Sequence, residues 1–262
     1  MKGVIYYYSA TGNTKLVCEY ITKHITSIPF DLVNIANNAN IDNFSYDIIG
    51  FACSTDFWGP PQLVKTFIDK IPKQDSKIAF VFNTYGLFSG KTLVILKEWV
   101  KAKGFKVIAG YSLQTPENYP PLIIKGITSK NAPKQTDIQK LNTFSKELNY
   151  LLTSIPSKDL KETKLKIGLI NSLFPTISRT KAKYDMGEKF VDASLCTECG
   201  ICKNVCLYEA IELNPKPVFN FDKCYGCWSC FNHCPTKAIY TKKIRGKGHY
   251  PKPLKTLTEK LK

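Results

Sequence analysis

The sequence predicts two domains of different class: an α/β domain on a doubly wound, five-stranded parallel sheet, then a small α+β domain organised by cysteines. Two observations carry this. Five apolar runs alternate with helical segments over residues 1–152, and eight of the ten cysteines fall between Cys196 and Cys234. Alternating β and α segments argue for a parallel sheet with helices on both faces.

The apolar runs are KGVIYYY, FDLVNIA, YDIIGFAC, KIAFVFNTYG and FKVIAGYSLQ. Continuous runs of this kind suit parallel strands buried on both faces. Helices are predicted over Thr14–Ile25, Pro61–Ile71, Lys91–Lys103 and Lys134–Leu152. In the third, Leu93, Leu96 and Val100 form one apolar stripe at helical spacing. Residues 153–189 break the rhythm with Ser, Pro and many Lys around the patch LKIGLINSLFP, which reads as a linker that partly packs, with one short helix. Residues 190–244 form the cysteine domain. Residues 245–262 are basic and interrupted by Gly and Pro, and read as a mobile or surface-wrapped tail.

The chain of 262 residues is long enough for two modest domains with a buried core. No apolar stretch is long enough for a membrane span, and the start lacks the pattern of a signal peptide, so a cytoplasmic protein is expected. Ten cysteines in such a chain point to metal rather than disulfides. The net charge of +16 is spread along the chain instead of forming one basic tract, which argues against a nucleic-acid protein.

The cysteines form two runs. The first is Cys196-x2-Cys199-x2-Cys202-x3-Cys206, and the second is Cys224-x2-Cys227-x2-Cys230-x3-Cys234-Pro235. Each cysteine recurs after 28 residues (Cys196 to Cys224, Cys206 to Cys234), and Ala210-Ile211 repeats as Ala238-Ile239. The module is an internal duplication. Three thiolates two residues apart wrap one corner of an iron–sulfur cube on a tight turn, and the fourth points away. Paired zinc sites are the competing reading, but zinc does not explain a third cysteine two residues on.

This module resembles bacterial-type ferredoxins with two 4Fe–4S clusters, over about 55 residues. The first run departs from that family at Leu207, where proline is usual. The resemblance implies crossed ligation. Cys196, Cys199, Cys202 and Cys234 would hold one cluster, and Cys224, Cys227, Cys230 and Cys206 the other. Tyr225, Trp228 and Phe231 surround the second run and would exclude water from its cluster.

Three loops follow strands one, three and four. Ser9-Ala10-Thr11-Gly12-Asn13-Thr14 opens the first helix, where small residues and free N–H groups suit one phosphate. It is neither the dinucleotide pattern nor a P-loop, so a mononucleotide is implied. A Ser or Thr helix cap is the plainer alternative. Ser54-Thr55-Asp56-Phe57-Trp58-Gly59 and Asn83-Thr84-Tyr85-Gly86 add small and aromatic residues at the same edge.

Residues 1–152 resemble flavodoxin, whose phosphate motif S-x-T-G-N-T is matched by Ser9 to Thr14. That resemblance implies a flavodoxin-like sheet of order 2-1-3-4-5 with FMN at the crevice between strands one and three. Ser9, Thr11, Gly12, Asn13 and Thr14 would hold the phosphate. Trp58 and Tyr85 would stack on the ring, with Phe57 as alternative, and Gly59 would offer a flexible peptide to the flavin N5. Ser54, Thr55, Asn83, Thr84 and Gly86 complete the expected cradle.

Across nearly its full length the chain resembles flavodoxin–ferredoxin fusion proteins of anaerobes. The resemblance implies a low-potential electron-transfer protein relaying electrons between two 4Fe–4S clusters and FMN. The alternative is an FMN-dependent oxidoreductase reducing a quinone or nitro compound. Two clusters and one FMN would lower the charge to about +10, which suits redox partner proteins with acidic docking surfaces. Clusters and flavin could meet within one chain or across a homodimer; the sequence leaves both open.

Overall fold

The computed structural model describes residues 1–37, 45–155, 160–175 and 177–262. Along the chain β1 (Gly3–Tyr7), α1 (Asn13–His24), β2 (Phe30–Asn34), β3 (Ile48–Ser54), α2 (Gln62–Lys70), β4 (Ile78–Tyr85), α3 (Thr92–Ala102) and β5 (Lys106–Gln114) alternate. The four predicted helices each begin and end within two residues of an observed one. The sheet order is β2-β1-β3-β4-β5 and every neighbouring pair is parallel. The order reverses at β1, which pairs with both β2 and β3.

Period-two alternation separates the two faces of the sheet. Ile5 and Tyr7 join a core with Val17 and Ile21 of α1. Tyr6, between them, turns to the opposite face and meets Phe67 of α2 with ring centroids 5.0 Å apart. β3 and β4 are central and almost wholly buried, as the apolar runs predict. β2, which carries Asp31 and Asn34, is only half-buried and forms an edge.

After β5 come α4 (Pro120–Ile124) and α5 (Gln135–Ser154). The Asp137 carboxylate accepts the Lys134 N–H at 3.0 Å and caps α5. Ile138, Leu141, Phe144, Leu148 and Leu152 place α5 in the same core as α1. Beyond it, Leu160 to Leu165 run beside β5, with the Thr163 N–H donating to Val107 O at 2.8 Å. Lys97 of α3 fastens this segment: its ammonium donates to Thr163 O and pairs with Glu162, both at 2.7 Å.

The remaining elements are α6 (Leu169–Ser172), α7 (Arg179–Met186), β6 (Phe190–Val191), α8 (Ile201–Asn204), β7 (Ile211–Asn214), β8 (Lys216–Phe219), α9 (Ser229–His233), β9 (Ile239–Tyr240) and α10 (Lys255–Lys260). β6 pairs with β9 and β7 with β8, both antiparallel. The chain divides into two compact units. One contains Met1–Pro116, Ser129–Thr176 and Leu254–Lys262; the other contains Glu117–Thr128 and Ile177–Pro253.

This division cuts across the sequence boundaries. Residues 117–128 lie inside the predicted first domain but group with the cysteine-bearing unit. The C-terminal residues, read as a loose tail, end in α10, whose Leu257, with Leu261 just after it, is buried in the core beside α5. Leu254, Leu257 and Leu261 recur at helical spacing, but Pro251, Pro253 and many lysines obscure so short a stripe. The linker 153–189 carries two short helices rather than one.

Candidate functional site

In the first unit, the loop between β1 and α1 has Gly12 at its helix entry with φ 95°. That left-handed conformation is open to glycine at little cost. The first helical turn has N–H groups without intrahelical acceptors. The Lys15 N–H among them goes to Ser9 Oγ at 3.2 Å, so Ser9 acts as a cap. Thr11 is buried in the loop.

Two predicted phosphate ligands have other partners. The Asn13 amide donates to Pro116 O at 3.1 Å and to Thr115 Oγ1 at 3.4 Å, tying the loop to the end of β5. Thr14 Oγ1 shares a hydrogen bond of 2.8 Å with Thr84 Oγ1, tying it to the end of β4. Asn13 and Thr14 therefore brace the loop against the ends of β5 and β4.

Asn83 and Thr84 also face inward. The Asn83 amide donates to Thr55 Oγ1 at 2.9 Å and Ser89 Oγ at 3.1 Å, and its carbonyl accepts from Ser112 Oγ at 2.6 Å. The Thr84 carbonyl accepts the Thr55 N–H at 2.7 Å. Asn83 is wholly buried and its hydrogen-bonding groups are engaged within the protein. Strand direction alone does not tell which polar residues brace loops and which face a ligand. Ser54 ends β3, and Gly86 O accepts from Gln114 Nε2 at 2.8 Å.

Asp56 to Gly59 close a tight hairpin, with the Asp56 N–H donating to Gly59 O at 2.8 Å. Phe57 and Trp58, at its tip, both have positive φ, 47° and 65°. A turn with two left-handed positions favours Asn and Gly. Two aromatics there store strain of about 1–2 kcal/mol each, a pattern that concentrates at ligand clamps. Gly90 keeps the turn in place: at φ 55°, a Cβ on it would overlap Trp58. A Cβ on Gly59 would meet only Ile95, at 4.0 Å.

The Trp58 ring packs on Phe174, centroids 4.7 Å apart, and Phe174 packs equally close to Phe88. Phe174 lies in the segment read as linker and was not among the predicted site residues. Its apolar surroundings in the sequence were the only sign of it. Tyr85 is half-buried, and burial, then the Asp137 carboxylate, raises its phenol pKa above the ordinary value. Among the described residues no ring contact joins Tyr85 to Trp58. Cys18 and Cys53 are core residues whose thiols burial pushes upward.

In the second unit the thiols fall into two quartets. Cys196, Cys199, Cys202 and Cys234 line one small apolar cavity. The Cys202 thiol is pushed up by burial and by charge on those same three neighbours. The Cys230 thiol is pushed up by burial and by Cys227, Cys224 and Cys206. Each run's fourth cysteine thus sits with the other run's first three. Among the described residues no three His, Cys, Asp or Glu side chains converge tightly enough for a single ion. A quartet of thiolates is the donor set of an iron–sulfur cube.

Backbone bonds repeat with the duplication. The Ala210 N–H donates to Cys206 Sγ at 3.3 Å, and the Ala238 N–H donates to Cys234 Sγ at 3.2 Å. The Asp192 N–H donates to Ala238 O, and the Asn220 N–H to Ala210 O, both at 2.8 Å. These bonds give the repeated Ala-Ile pairs a physical role: they hold each fourth cysteine from behind.

Comparisons with known proteins match two separate parts of the chain. Residues 4–107 match a family model described as a flavodoxin domain, and residues 195–247 match one described as a 4Fe-4S dicluster domain. An uncharacterized protein of Methanocaldococcus jannaschii is 28% identical over 151 residues, which is 56% of this chain and 98% of that protein. A ferredoxin of Pyrobaculum islandicum is 40% identical over 60 residues, 22% of this chain and 54% of that protein. Among solved structures, a flavodoxin from the domain Archaea aligns with 20% identity and a TM-score of 0.44, covering 58% of this chain and 99% of that one.

Proposed function

We propose, from the premise that this chain joins a flavodoxin domain (residues 4–107) to a 4Fe–4S dicluster ferredoxin domain (residues 195–247), that it relays electrons between two clusters and FMN. The pairing of these two domain types points to electron transfer. The observation that carries the finer reading is the sorting of eight cysteines into two quartets on a chain whose sheet reverses order beside a phosphate-type loop. FMN, when bound, exchanges electrons in pairs or singly, while iron–sulfur cubes exchange them one at a time.

The chain's own residues have separable tasks in this reading. Ser9, Thr11 and the backbone around Gly12 bind the phosphate, while Asn13 and Thr14 hold that loop against the ends of β5 and β4. The strained Phe57–Trp58 turn and Tyr85 supply aromatic walls, and Gly59 would present its peptide to the flavin by exchanging the bond its N–H makes to Asp56 O at 3.2 Å. The eight cysteines hold the clusters; Cys202 and Cys230 are buried, whereas Cys199 is exposed. The charge of +16 favours docking on acidic redox proteins. No helix among the described residues is long and apolar enough to cross a membrane.

Anaerobic purification followed by iron, sulfide and flavin analysis tests the reading. Eight irons and one FMN per chain are expected. Rapid-mixing absorbance should then show cluster and flavin bleaching in sequence when a reduced ferredoxin is added. A chain without FMN after reconstitution, or a flavin that stays oxidised while the clusters are reduced, would overturn the relay. Fast turnover of a quinone or nitro compound would favour an oxidoreductase instead.

A further inference from the structure

Lys189 is a buried lysine, only 5% exposed. Its ammonium donates to Gly187 O at 3.1 Å and lies 4.5 Å from the centre of the Trp228 ring. Among the described residues no carboxylate pairs with it. Burying an ammonium without an anion is costly, and one carbonyl and one aromatic face compensate only part of that. An unpaired buried cation points to a negative group nearby that is not a side chain.

The surroundings identify that group. Trp228 lies between Cys227 and Cys230 in sequence and is itself buried, with its indole N–H lacking a partner. Lys189 lines one cavity together with Cys224 of the second quartet.

The duplication supplies an internal control. Moving 28 residues along the repeat carries Lys189 to Pro217 and Gly200 to Trp228. Pro217 and Gly200 both line the cavity of the first quartet. Gly200 and Trp228 have matching left-handed backbones, φ 73° and 63°. The first quartet therefore has Pro and Gly where the second has a lysine–tryptophan pair. Holding a tryptophan in a backbone conformation suited to glycine is unfavourable and marks a functional constraint.

We infer that Lys189, seated on Trp228, is the charge-compensating residue of the cluster held by Cys224, Cys227, Cys230 and Cys206, and makes that cluster the easier of the two to reduce. Reduction adds one negative charge to a cluster in a poorly screened interior, and a nearby fixed cation favours the reduced form. Electrons arriving at the module then settle on the second cluster. This rests on the reading that each quartet holds a 4Fe–4S cluster, but not on FMN binding.

The test is an anaerobic redox titration of the full chain followed by electron paramagnetic resonance, on wild type, Lys189→Met and Lys189→Arg, with iron counted in each. In Lys189→Met the reduction equilibrium of one cluster should shift at least about tenfold toward the oxidised form, roughly 59 mV for one electron, while the other stays. Lys189→Arg should restore most of the difference. Loss of one cluster in Lys189→Met but not in Lys189→Arg would also support the charge role. Unchanged potentials in Lys189→Met with eight irons present, or an equal shift of both clusters, would overturn it. A wild-type chain that cannot be loaded with eight irons would instead overturn the two-cluster reading itself.

Discussion

Thr14 Oγ1 lies 2.8 Å from Thr84 Oγ1, and this one bond fixes the start of α1 to the end of β4. Both side chains are buried, so neither hydroxyl has water as a substitute. Thr14→Val should destabilise the protein by about 1–3 kcal/mol, because it strands the Thr84 hydroxyl. Adding Thr84→Val should recover part of that loss. Chemical denaturation of the two single variants and the double variant measures the coupling; simple additivity would show that the bond contributes nothing.

The hairpin at Phe57–Trp58 gives a contrast between two glycines. Gly90→Ala places a Cβ against Trp58 at a positive φ, so it should cost about 1–3 kcal/mol and weaken FMN binding. Gly59→Ala meets only Ile95 and should leave the melting temperature close to wild type. If Gly59 offers a reorienting peptide to the flavin, the same variant should still shift the one-electron potentials of bound FMN. Calorimetry and a flavin redox titration separate the two effects.

Crossed ligation predicts which cysteine pairs share a phenotype. Cys206→Ser combined with Cys224→Ser should lose about half of the iron, no more than either alone, because both serve one cluster. Cys206→Ser combined with Cys196→Ser should lose nearly all of it. Iron and sulfide analysis reads this directly, and the opposite pattern would assign each run its own cluster.

His249 makes the second unit sensitive to acid. Its ring stacks on Phe231, centroids 4.0 Å apart, and both ring nitrogens are buried without a hydrogen-bond partner among the described residues. Burial, then Lys237, lowers its pKa from 6.5 to about 4. The folded state keeps the ring neutral, so between those values the unfolded chain holds more protons. Stability should therefore fall as pH drops from about 6.5 toward 4, and be insensitive to this group above about 7. His249→Phe should flatten that slope in thermal melts recorded against pH; an unchanged slope would assign the acid sensitivity elsewhere.

Much of this was legible in the sequence because it is local. A parallel strand buried on both faces must be apolar throughout, so β1, β3 and β4 are readable as runs. The cysteine spacing reflects the reach of a few residues around a cube, and the 28-residue repeat reveals the duplication. Loop order along the chain likewise places Ser9–Thr14, the Phe57–Trp58 turn and Tyr85 at the ends of successive strands.

What only the tertiary structure decided is which of several suitable side chains meets which partner. Asn83 and Thr84 look like ligand residues in sequence, yet they brace neighbouring loops, because β3, β4 and β5 bring Thr55 and Ser112 to Asn83. Phe174 meets Trp58 across more than a hundred residues of chain, and Leu257 enters a core set by α1 and α5. Lys189 is one lysine among many until the fold buries it beside Trp228. Spacing along a chain fixes local geometry, but burial and pairing depend on segments distant in sequence, and these determine whether a polar group faces water, a ligand or the protein itself.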